Sequence, residues 1–108
     1  GDARRAQQDY ALALTRGPDD EVIKRFALSL AITGQRDQAL RMLDPLLYKR
    51  DQGAWRARAF VLALTGDAAG ASRIVRQVMP ERMAVSMDGF LSRLAALTPA
   101  QKAAAVHL

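Results

Sequence analysis

Ala27-Leu28-Ser29-Leu30-Ala31-Ile32-Thr33-Gly34 returns as Ala59-Phe60-Val61-Leu62-Ala63-Leu64-Thr65-Gly66, 32 residues further along. Both stretches consist mostly of helix formers and both stop at a glycine, the residue that turns a chain out of a helix at little steric cost. Repetition at this period marks a hairpin of two helices that cannot bury its apolar face alone and must stack on copies of itself. The expected fold is therefore all-α, an α-solenoid of antiparallel helix hairpins.

Composition agrees. Half of the 108 residues are hydrophobic, and only 6% are aromatic. Alanine and leucine dominate the chain, which suits helices packed on helices with their axes close together. A domain of this length buries roughly 60 to 70% of its unfolded surface. With no cysteine, disulfides, thiolate catalysis and cysteine-held zinc are excluded. No apolar run approaches the roughly 18 residues of a membrane span, and Gly1-Asp2-Ala3-Arg4-Arg5 does not read as a signal peptide.

The net charge of +5 is spread over single arginines such as Arg36, Arg41, Arg73, Arg76 and Arg93. Without a dense basic tract or interleaved exposed aromatics, this pattern argues against nucleic acid and for an acidic protein partner.

From the N-terminus, Ala6, Tyr10, Ala13 and Leu14 form the buried stripe of a first helix over 1–16, stopped at Gly17-Pro18-Asp19-Asp20. Asp19, Asp20 and Glu21 read as a helix cap and its favourable charges rather than a cation site. Pro45 lies inside the second helix of its hairpin and predicts a kink. Beyond Met79-Pro80 the repeat lapses, but Met83, Met87, Phe90, Leu91 and Leu94 continue one helical face as a covering helix. Thr98, Pro99 and Gln101 predict a last short helix opened by a capping box.

The spacing is similar to that of the tetratricopeptide repeat, W-x2-L-G-x2-Y, then A-x3-F, then P. Ala6, Tyr10 and Pro18 resemble the closing half of one repeat. Ile23, Phe26, Ala27, Leu30 and Ala39-x3-Leu43 resemble a whole one, and Trp55, Ala59, Leu62 and Ala71-x3-Val75 another. Arg58 departs from the pattern where the family buries a leucine, and must reach solvent or a carboxylate. The resemblance implies a right-handed superhelix: 1–19 as a half repeat, 20–51 and 52–80 as repeats, 81–108 as capping helices. It also implies that Trp55 is core, and that the half repeat at the start belongs to a longer protein. The tail from Leu97 to Leu108 resembles stretches of bacterial Flp-pilus-assembly-type proteins of the same family, which points to the bacterial periplasm or envelope while leaving the compartment open.

In that family the second face of each first helix lines a concave groove. Here this face carries Lys24, Leu28 and Ile32 on one helix, matched by Arg56, Phe60 and Leu64 on the next. The resemblance implies a groove with a basic rim and an apolar floor, suited to a peptide or helix of a partner protein. Packing between neighbouring repeats is the competing role for the four apolar residues, and a solvated face for the two basic ones. A second expectation is a self-associating assembly module that pairs as a homodimer through the first helix around Tyr10 and Leu14. Catalysis and cofactors are not expected: His107, the single histidine, stands next to the last residue with no nucleophile or ligand beside it.

Overall fold

Asp19 opens the first of the two matched stretches by capping it. Its Oδ1 accepts the backbone N–H groups of Glu21 and Val22 at 2.9 and 3.3 Å, while Asp20 and Glu21 lie in the first turn, where the helix dipole favours negative charge. A computed structural model describes residues 2–15, 17 and 19–108. Gly1, Arg16 and Pro18, which the expected first helix and its exit turn include, lie outside the described residues.

The described chain is all-helical: α1 (Asp2–Leu14), α2 (Asp20–Ile32), α3 (Arg36–Tyr48), α4 (Gln52–Leu64), α5 (Ala68–Val78), α6 (Glu81–Arg93), a 3-10 turn (Leu94–Ala96) and α7 (Pro99–Ala105). From α1 to α6 each helix packs on the next. In addition α2 packs on α4, and α4 on α6. The alternate helices α2, α4 and α6 are thus neighbours in space, giving a repeat-like arrangement.

The two glycine stops work as expected. At Gly34 (φ +82°) the Gln35 N–H reaches back to Leu30 O at 2.9 Å and the Gly34 N–H to Ala31 O at 3.0 Å. At Gly66 (φ +101°) the Asp67 N–H reaches Leu62 O at 2.8 Å and the Gly66 N–H reaches Ala63 O at 3.2 Å. This pair of reversed bonds satisfies carbonyls that the helix end would otherwise leave bare. The same closure ends α3 with Arg50 in the left-handed position, at φ 60°.

Alanines and leucines divide the core between them. Ala27, Ala31, Ala39, Ala59, Ala63 and Ala71 are fully buried where helices approach, and Leu43, Leu46, Leu64, Leu91 and Leu94 fill the space between. The matched alanines of the repeat, Ala27 with Ala59 and Ala39 with Ala71, are all buried to within 1%.

Several expectations change. In α1, Ala13 is exposed, and Ala6, Tyr10 and Leu14 are only half-buried, because α1 is covered chiefly by α2. Trp55 is half-buried rather than fully buried in the core: it packs against the core's edge and lines two hollows, one with Asp44 and Tyr48 and one with Arg58 and Ile74. Met83 is 53% exposed, since α6 turns Ala84 and Leu91 inward instead. Helix α3 continues through the exposed Pro45 to Tyr48. Arg58 does reach a carboxylate, with Asp44 at 3.8 Å.

Candidate functional site

The rows Lys24, Leu28, Ile32 and Arg56, Phe60, Leu64 lie on α2 and α4, which pack side by side. Their burial divides them. Ile32 and Leu64, at 4% and 1% exposure, belong to the core, and Leu28 at 9% is at its edge. Phe60 is half-buried and Arg56 exposed. Lys24, Leu28, Arg56 and Phe60 line one hollow of about 300 Å³. Ile32 and Leu64 do not line it, so the structure brings together four of the six and places the other two in the packed interior.

Phe60 is held in place from behind, its ring edge-on to that of Phe90 with centroids 6.4 Å apart. Such a T-shaped pair adds about 0.5–1.5 kcal/mol beyond area burial. Tyr10 is likewise covered by Phe26, at 6.3 Å.

The basic rim is uneven. Lys24 Nζ lies 3.1 Å from Asp51 Oδ2 and 3.5 Å from Glu21 Oε2, and its side chain is 17% exposed. Arg25 Nε lies 3.6 Å from the other oxygen of Glu21. Among the described residues Arg56 has no ion-pair partner within 4.0 Å. Lys24 is therefore occupied in holding two helices together, and Arg56 is the cation of this rim available to a ligand.

Asp51 has two duties. Its Oδ1 accepts the backbone N–H of Ala54 at 3.2 Å, capping α4, while its carboxylate meets Lys24. Burial pushes its carboxyl up, but the hydrogen bond and charge of Lys24 and the N–H groups of Ala54 and Gly53 outweigh that and hold it below the ordinary aspartate range. Gly53 leaves the room this pair needs, since a Cβ there would stand 2.8 Å from Lys24 Nζ. Sequence reasoning missed Asp51, although it stands 32 residues after the cap Asp19.

The far end of the α2–α4 pair is tied by side chains from other helices. Gln7 Nε2 donates to Ser29 O at 3.0 Å and to Thr33 Oγ1 at 2.9 Å. Arg36 Nε donates to Thr65 Oγ1 at 2.7 Å, and Lys102 Nζ to Leu64 O at 3.1 Å. Arg36 Nη2 also donates to the carbonyl of Thr65, the cap residue of α4, so two cations meet carbonyls at this helix end, where the helix dipole favours them. Between them opens a hollow of about 620 Å³ that also includes Gln35 and Asp37. Both of its cations are spent on the protein's own oxygens.

The third wall of the smaller hollow is the tail: Val106, His107 and Leu108 border the space lined by Leu28 and Phe60. Helix α7 packs on α1 and α2, so the chain's end folds back onto the candidate groove.

Among the described residues no group of three His, Asp or Glu side chains is arranged to hold a metal ion. No helix of the described residues is long and apolar enough to cross a membrane. Comparison with protein-family models, with curated proteins and with solved structures gives no match.

Proposed function

We propose that the chain is a protein-interaction module of the tetratricopeptide type, a short right-handed solenoid holding a peptide or helix of a partner against α2 and α4. The observation that carries this reading is the convergence of Lys24, Leu28, Arg56 and Phe60 on one hollow, with an aromatic wall and, at its rim, an arginine that has no ion-pair partner among the described residues. Apolar side chains of a ligand enter beside Phe60 and Leu28, and a ligand carboxylate meets Arg56. No catalytic role is assigned to the chain. Panning a display library of 15-residue peptides on the chain tests this reading. Acidic and apolar sequences should be enriched, and Arg56→Glu and Phe60→Glu should lose them. Enrichment that ignores both substitutions overturns it.

Self-association through α1 is the second reading, and Leu12, 61% exposed on that helix, is the observation that favours it. Tyr10 contributes less than its position promises, because Phe26 already covers it.

A further inference from the structure

Helix α7 is seven residues long and has no fully buried side chain. Ala103, Ala105, Val106 and Leu108 nevertheless pack on the core, and Lys102 caps the end of α4. The segment closes itself at both ends. Thr98 Oγ1 accepts the Gln101 N–H at 3.2 Å, and Gln101 Oε1 accepts the Thr98 N–H at 3.0 Å. At the other end the Leu108 N–H reaches Ala103 O at 2.9 Å, with His107 in the left-handed region at φ 58°.

A helix this short does not persist alone in water. Its docked state therefore depends on small contacts: two alanines, a valine, a leucine and one ammonium. These are set against the strain of a histidine where glycine is preferred. Segments with few buried apolar contacts open locally at far lower free energy than the core around them. The tail nonetheless borders the hollow that Leu28, Arg56 and Phe60 line.

We propose that residues 98–108 are a displaceable internal occupant of the outer face of α2, reaching α4 through Lys102 and through the hollow that Val106, His107 and Leu108 border, and that the partner takes their place as a short amphipathic helix. The inference rests on the groove reading above. The tail states part of the partner's chemistry: small aliphatic residues on the docked side and a lysine or arginine over the end of α4 where Lys102 sits; Arg56 at the neighbouring hollow adds an acidic residue, which the tail itself lacks. The tail is tethered at an effective concentration on the order of millimolar for a short linker, so a partner must bind the open face more tightly than that to displace it. A partner lacking the small docked side cannot enter.

The test uses the full chain. Hydrogen exchange followed by mass spectrometry should show 98–108 exchanging about 100-fold faster than 54–64, the opening of a segment rather than of the whole fold. Val106→Asp should leave the melting temperature within a few degrees of wild type. It should also bind a fluorescein-labelled peptide of residues 97–108 at least about tenfold more tightly than wild type, because the internal competitor is gone. Adding Phe60→Glu should abolish that binding. His107→Gly, which relieves the left-handed strain, should slow exchange in 98–108. The proposal is overturned if 98–108 exchanges as slowly as 54–64, if Val106→Asp unfolds the chain, or if the probe binds both proteins alike. None of these outcomes touches the library result, so the groove reading stands or falls separately.

Discussion

Lys24 Nζ stands 3.1 Å from Asp51 Oδ2, joining the middle of α2 to the residue that caps α4. One carboxylate thereby fixes both the start of a helix and its position against a neighbour. Side-chain exposures of 17% and 23% keep the pair partly shielded from water, so it is worth more than an open surface pair.

Asp51→Ala removes cap and pair together and should lower the unfolding free energy by about 1–2 kcal/mol, whereas Asp51→Asn keeps the cap and should cost less than about 1 kcal/mol. Urea denaturation of the two variants checks the order. A loss in Asp51→Asn of more than half that in Asp51→Ala would mean that the ion pair outweighs the cap.

The same carboxylate gives a pH signature. Its folded-state pKa lies below the unfolded one. Its contribution is therefore complete above the unfolded value of about 3.9 and disappears as pH falls through the lower folded value. Melting temperatures of wild type and Asp51→Asn should converge as the pH is taken down through that window. Parallel curves would show that Asp51 is not the group responsible.

Leu43 is fully buried and Tyr48 is 89% exposed, although both lie on α3. Leu43→Ala should cost about 2–5 kcal/mol through lost transfer energy and the cavity left behind. Tyr48→Ala should stay within about 0.5 kcal/mol. Chemical denaturation separates the two, and equal losses would contradict the burial described.

At Gly34 and Gly66 φ is +82° and +101°. Alanine at either should destabilise by about 1 kcal/mol or more, having no easy access to these angles. At Arg50, φ 60°, the reverse holds: Arg50→Gly removes strain and should be neutral or slightly stabilising. Thermal melts of the three variants check the signs.

Light scattering on a sizing column tests self-association. If α1 drives it, a dimer should appear at high concentration in the wild type and disappear in Leu12→Glu. Tyr10→Glu should act by disturbing Phe26, and so lower the melting temperature as well.

What the sequence by itself determined is the local chemistry and its period. The 32-residue return of Ala27–Gly34 as Ala59–Gly66, the helix stops at Gly34 and Gly66, the cap at Asp19 and the capping box of Thr98 and Gln101 all appear in the structure. The stops, the cap and the capping box each depend on angles and hydrogen bonds spanning no more than about six residues, so residue type and spacing suffice. What only the tertiary structure decided is which of six aligned side chains stay open. Ile32 and Leu64 became interior while Phe60 and Arg56 did not, Lys24 was taken up by a carboxylate 27 residues away, and the tail folded back beside Leu28. Periodicity names the face of a helix, but burial on that face depends on which neighbour covers it and how closely the axes approach, and pairwise spacing along the chain carries neither.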